Sequence, residues 1–163
     1  MDLIVAKKLA VDLMTKHNLI QNGWSFSYDN AKRRFGVCKY RTKTIGLSTH
    51  LVSLNDEINV KDTILHEIAH ALVGHEHGHN HVWQRKAIEI GCNGKRCYDS
   101  KLIKTPEAKY EAVCHGCNHV HKRHKAPRMK SSCGKCSGGR YNEKYLLIYK
   151  TQEQRNFQKI FGS

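Results

Sequence analysis

The run His66-Glu67-Ile68-Ala69-His70 constrains this chain more than any other feature. Side chains four residues apart stand above one another on a helix but about 13 Å apart along a strand, so two histidines at this spacing share one ion only where the backbone is helical. Thr63 to Gly74 reads as that helix. Ile64, Leu65, Ile68, Ala69 and Leu72 bury one side of it and leave both histidines on a defined stripe. Glu67 lies one step round, within reach of a water held by the metal. Zinc lowers the pKa of such a water towards ~7, and a neighbouring carboxylate completes its activation. Twelve histidines make chance pairs easy, yet a chance pair has no reason to fall on an apolar helix. The pattern points to zinc hydrolase chemistry.

The flanking sequence supplies a small frame for that helix. From Leu3 to His17, Leu3, Ala6, Ala10, Leu13 and Met14 recur at helical spacing among Lys7, Lys8, Asp12 and Lys16, which predicts an amphipathic helix. Beyond Asn22-Gly23 the period falls to two: Trp24, Phe26 and Tyr28 alternate with Ser25 and Ser27. With Arg34–Tyr40 and Lys43–Ser48, this predicts a small antiparallel meander. Asn59 to Asp62 reads as the N-terminal signal of the metal helix, with Asp62 placing charge in its first turn, and Gly74 as its stop. Val82, Trp83, Ala87, Ile88 and Ile90 form the apolar side of a following helix that Gly91 ends. Residues 92–110 read as a polar connector and Tyr145–Tyr149 as a β-rich stretch. The last residues, 151–163, read as a tail that adds a short helix or frays.

Composition narrows the class further. Hydrophobic residues make up 39%, and no apolar run nears the ~20 residues of a membrane span, so no membrane partner is expected. Met1 to Lys8 lacks the basic-then-apolar order of a signal peptide, and a cytoplasmic location is expected. In that compartment seven cysteines serve as thiols and metal ligands rather than disulfides. Cys114-His115-Gly116-Cys117 and Cys133-Gly134-Lys135-Cys136 are two CxxC pairs separated by 15 residues. Each predicts a tight turn, with Gly116 and Gly134 relieving the backbone. Four thiolates close a tetrahedral shell, which makes this a structural zinc stapling a module without a core of its own. Cys38 reads as a small buried hydrophobe. Cys92 and Cys97 lack metal-binding partners at a standard spacing.

The net charge of +14 is unevenly placed: residues 1–100 hold 14 basic and 10 acidic side chains (+4), residues 101–163 hold 14 and 4 (+10). A basic C-terminal third predicts a polyanion partner, of which DNA is the expected one. Lys122, Arg123, Lys125 and Arg128 would follow its phosphates, and Tyr141 and Tyr145 would stack on exposed bases.

Two histidines do not complete a catalytic zinc site, which takes three protein ligands and leaves one position open. A ligand six residues past His70, as in the metzincin pattern, would be Glu76, and Val73 stands where that pattern has glycine. A thermolysin-like ligand on the next helix would be Glu89. His75, His77, His79 and His81 are further choices, and spacing alone does not decide among them.

Several segments resemble the SprT-like family, which includes the DNA-dependent protease Spartan. They are Trp24-Ser25-Phe26, Gly36-Val37-Cys38, Ile45-Gly46-Leu47-Ser48, Asp62 through Leu72, His79-Asn80-His81-Val82-Trp83 and the CxxC…CxxC module. The resemblance implies that His79 is the third ligand, with Asn80 in a Gly/Asn/Asp slot and Trp83 in an aromatic slot. It implies an α+β fold: a minimal zincin-like domain over 1–100 (N-terminal helix, small antiparallel sheet, HExxH helix and following helix), then a zinc ribbon over 110–150. The implied protein is a zinc metallopeptidase acting on DNA-associated protein substrates, with a role in DNA repair. It would hold one catalytic zinc at His66, His70 and His79, with Glu67 as base, and one structural zinc at Cys114, Cys117, Cys133 and Cys136. Two rivals stand beside it: a non-enzymatic nucleic-acid-binding protein on the same scaffold, which has no use for Glu67, and an HNH-type nuclease suggested by His79-Asn80-His81.

Overall fold

Asp2 opens the first helix, α1 (Leu3–Lys16), by accepting hydrogen bonds from the N–H groups of Ile4 and Val5, and Ala6, Ala10 and Met14 form its buried stripe. The structure, a computed structural model, describes residues 1–97 and 103–161. They fall into two compact units, Met1–Pro106 and Glu107–Ser163. Among the described residues no helix is long and apolar enough to cross a membrane.

The first sheet contains β1 (Ser25–Asp29), β2 (Gly36–Lys39) and β3 (Thr44–Ser48) in the order β1-β3-β2. β3 runs parallel to β1 and antiparallel to β2, so the expected antiparallel meander is corrected to a mixed sheet. Burial explains the order. Ile45, Gly46, Leu47 and Ser48 are all buried, and a strand covered on both faces belongs in the middle. Nor are β1 and β2 joined as a hairpin. The Ser48 hydroxyl donates to the Ala31 carbonyl and the Ser48 N–H to that of Phe35, which pins residues 31–35 to the end of β3.

Ser48 also caps α2 (Thr49–Leu54), a helix that the sequence reading did not anticipate, by accepting from the Leu51 N–H. The metal helix, α3 (Glu57–Val73), begins earlier than expected, because Asp56 caps it through the Asn59 N–H. Asp62 therefore sits inside the helix, not in its first turn. Val60, Ile64 and Ile68 pack into a core with Ile45, Leu47, Leu51 and Val52. Gly74, at φ 94°, ends α3 as expected. Asn80 then caps α4 (His81–Glu89) through the N–H groups of Val82 and Trp83. Trp83 and Ala87 are buried against Leu65 and Ala69. Leu72 and Ile88, expected on the buried sides, are 38% and 59% exposed. The connector is partly tied down: Ile103 joins the core, and the Asn55 amide exchanges hydrogen bonds with the backbone N–H and C=O of Lys104. Its central residues, 98–102, and with them the expected boundary at residue 100, lie outside the described residues.

The second unit is built on β4 (Tyr110–Val113), β5 (Val120–Arg123) and β6 (Lys150–Thr151), antiparallel in the order β5-β4-β6. Tyr145–Tyr149 is not a strand. Leu146 makes only an isolated bridge to Ser132, and Leu147 is buried beside Cys114 and Cys133. A short α5 (Gly134–Ser137) follows Cys133, and the tail forms α6 (Gln152–Phe161). Thr151 and Gln154 exchange hydrogen bonds at its start, a reciprocal cap.

Candidate metal centres

Helix α3 presents His66 and His70 on one face, and the reversal after Gly74 returns His79 to them. The His79 Nε2 lies 3.1 Å from the Nε2 of His66 and 3.1 Å from that of His70. All three ligand atoms fall within 4.8 Å of one another. Burial, and then the neighbouring rings, pull His66 and His70 down to about 4, so both are neutral at pH 7 with a lone pair to give. Burial lowers His79 as well, followed by the Arg96 charge. Zinc–nitrogen bonds of about 2.1 Å at tetrahedral angles hold nitrogens roughly 3.4 Å apart. Three neutral imidazoles at nearly that separation fit a zinc ion.

The other histidines and acids weighed as third ligand are engaged elsewhere. His75 and His77 pair with Glu76, and Glu89 pairs with Lys86. His81 is the exposed first residue of α4. Asn80 is spent as that helix's cap, so His79-Asn80-His81 is a helix start and has no resemblance to a ββα nuclease hairpin.

Glu67 is 8% exposed, and its carboxylate accepts a hydrogen bond from the Cys38 N–H. Burial raises its pKa from an ordinary 4.5 to about 7, against the lowering pull of Arg34 and of that N–H. The sheet makes room for it at Gly36, where a Cβ would come within 2.6 Å of Glu67 Oε1 and 2.9 Å of Thr63 Cγ2. Glu67 and the three histidines line a cleft of about 740 Å³, walled by Arg33 to Cys38 on one side and by Asn93, Lys95, Arg96 and Cys97 on another. Cys38 is half-buried, and burial pushes its thiol up to about 12. Cys92 is buried with its thiol directed to the Asp62 carbonyl. Neither belongs to a metal cluster among the described residues.

Sequence reasoning missed several supports of this site. At the end of α3 the Tyr40 hydroxyl lies 3.3 Å from the His70 carbonyl, which also accepts from the Gly74 N–H, and 3.4 Å from the Gly74 carbonyl, so its one proton is shared between them. The Lys95 carbonyl accepts a hydrogen bond from the His66 ring. A backbone contact of that kind leaves no mark in side-chain identity.

In the second unit, Cys114, Cys117, Cys133 and Cys136 also bring their ligand atoms within 4.8 Å. Sulfur–sulfur distances are 3.8 Å for Cys114–Cys136 and 3.7 Å for Cys117–Cys133. Zinc–sulfur bonds of about 2.3 Å at tetrahedral angles give roughly 3.8 Å. The donor set fits zinc. Gly116 matters here for a reason other than the one expected. Its backbone needs no special conformation, but a Cβ would come within 2.8 Å of the Tyr145 ring, whereas Gly134 has open space around it. Of the four basic residues expected along phosphates, Lys122, Lys125 and Arg128 are exposed and Arg123 is half-buried. Lys122 pairs with Glu111, and Arg123 stacks over Tyr149 at 4.7 Å.

Among curated proteins none matches the chain. The model of the SprT-like family matches residues 8–105, more than half of the chain and all of His66, Glu67, His70 and His79, and the chain therefore belongs to the SprT-like family.

Proposed function

We propose that this chain is a zinc metallopeptidase of the SprT type that acts on DNA-associated proteins. The observation that carries the reading is Glu67, a carboxylate buried to 8% exposure beside three convergent imidazoles in an open cleft. A scaffold that only bound metal would need the histidines and not this acid. His66, His70 and His79 would hold the zinc, which when bound supplies Lewis acidity to a water and to the scissile carbonyl. Glu67, held by burial beside the three imidazoles, is placed to take the proton of the attacking water. Water oxygen then bonds to the carbonyl carbon. Glu67 returns the proton to the amide nitrogen as the C–N bond breaks, leaving a carboxylic acid and an amine.

Cys114, Cys117, Cys133 and Cys136 would hold a second, structural zinc. The second unit would bring the peptidase to DNA through phosphates, with exposed Lys125 and Arg128 as the leading contacts and Lys122 and Arg123 contributing less because both have internal partners. The experiment is incubation of the purified chain with a basic DNA-binding protein, with and without single-stranded DNA, beside a Glu67→Gln control. Cleavage that needs Glu67 is expected. Cleavage that persists in Glu67→Gln, or no cleavage by a zinc-loaded chain under either condition, overturns the peptidase reading.

A further inference from the structure

Asp62, His66 and His70 follow one another at intervals of four along α3 and so share one helical stripe. The two histidines turn to His79, while Asp62 turns to the segment after α4. Its Oδ1 accepts from the Asn93 N–H at 2.8 Å and its Oδ2 from the Asn93 side-chain amide at 2.6 Å. The Asn93 Oδ1 in turn accepts from the Lys95 N–H at 2.7 Å. Gln84 adds a bond to the Gly94 carbonyl, and the Cys92 thiol one to the Asp62 carbonyl. Cys92, Asn93 and Gly94 are thereby fastened to α3 and α4, and Lys95 is fastened to them through Asn93. The fastening sets the position of the Lys95 carbonyl, which accepts from the His66 ring. Because the His66 Nε2 faces His79, Nδ1 is the nitrogen left to make that bond.

We infer that Asp62 is a positioning residue for the metal centre: through Asn93 it holds the Lys95 carbonyl where it fixes the His66 ring in the tautomer that keeps Nε2 free for zinc. Outer partners of this kind set ring orientation and ligand basicity, and their loss typically weakens metal binding by 10- to 100-fold. Asp62 acts at one remove, so the lower end is expected. The same segment supplies Asn93, Lys95, Arg96 and Cys97 to the cleft, so one carboxylate shapes both the metal centre and a wall of the site.

The inference rests on the zinc reading, and the test separates the two. Full-length wild type, Asp62→Ala, Asn93→Ala and the double variant are titrated with a competing chelator, with the zinc of the four-cysteine site as the internal standard for metal loading and amide dispersion in the NMR spectrum as the check that the first unit is folded. Asp62→Ala should bind the labile zinc about tenfold more weakly. The double variant should be no weaker than Asp62→Ala, because both substitutions cut one clamp. Ring ¹⁵N spectra of the zinc-free chain should show His66 protonated at Nδ1 in wild type and averaged between tautomers in Asp62→Ala. If Asp62→Ala fails to fold, Asn93→Ala carries the same expectation with a smaller loss. Affinity within twofold of wild type in a folded variant, or an unchanged His66 tautomer, overturns the positioning role. A wild type with no chelator-labile zinc overturns the zinc reading itself, and this inference with it.

Discussion

The indole of Trp83 lies nearly parallel to the imidazole of His70, with 25° between the planes and 5.2 Å between ring centroids. The same indole meets His66 at 4.6 Å and His79 at 4.7 Å. One buried side chain thus backs all three rings. Trp83→Ala should cost about 3–5 kcal/mol through the cavity it leaves, and should release the labile zinc, because the rings lose their common floor. Trp83→Phe retains an aromatic face and should lose less of both. Thermal denaturation and zinc content measured on the two variants check the ranking.

Two zinc ions per chain are expected, one yielding to chelator and one resistant, since one site has an open position and the other is closed and coupled to folding. His79→Ala should lose the labile ion and all peptidase activity. His75→Ala, His77→Ala and Glu89→Ala should keep it, because those side chains pair with Glu76 or Lys86. Elemental analysis finding one zinc in folded wild type, or full occupancy in His79→Ala, contradicts the assignment.

Glu67 makes the metal-free chain sensitive to pH in a particular direction. Its pKa rises from 4.5 to about 7 on folding, chiefly through burial, so the folded state holds a proton that the unfolded chain has released. The contribution to stability is complete below pH 4.5 and is lost as pH climbs to about 7. Glu67→Gln lacks this dependence. Its stability relative to wild type should grow across that window and level off about 3 kcal/mol higher above pH 7. Denaturation curves of the two zinc-free proteins that stay parallel from pH 4.5 to 8 would contradict this.

Binding of single-stranded DNA should weaken steeply with salt, with a log–log slope of about −0.7 for each phosphate contact. Charge reversal at Lys125 and Arg128, both exposed, should flatten that slope more than reversal at Lys122 and Arg123, which have Glu111 and Tyr149 as partners. The resistant zinc should stay in place in both variants. Equal slopes for the two pairs would place the contacts elsewhere.

The sequence revealed the parts of this molecule whose chemistry needs a fixed spacing. A pair of histidines four apart demands a helix, and two CxxC pairs demand two turns, so His66, His70 and the four cysteines are legible from spacing, whereas His79 is marked only by the family resemblance. Strand order was not legible in the same way. Alternation of apolar residues in Trp24, Phe26 and Tyr28 tells which face of β1 is covered but carries no record of which strand lies beside it. The start of α3 was misplaced because Asp62 has the residue type of a first-turn acid, and only the folded chain shows it bonded to Asn93, far along the sequence. Ser48 was read as the end of a strand and not also as a cap, which concealed α2.

Helix α3, Gly74 and α4 place the three imidazoles within 13 residues of one another along the chain, and the four cysteines span no more than 22. The histidine contacts lie within one helical hairpin, whereas the pairing of β1 with β3 brings together two strands 19 residues apart across an intervening strand, and local contacts form faster. A helical hairpin of α3 and α4 is therefore able to capture metal before the sheet has assembled around it. Glu67 acquires its buried surroundings only when Gly36 and Cys38 arrive with β2. A nascent chain would then pass through a form that carries the ion while Glu67 still lies open to water, until β2 packs against α3.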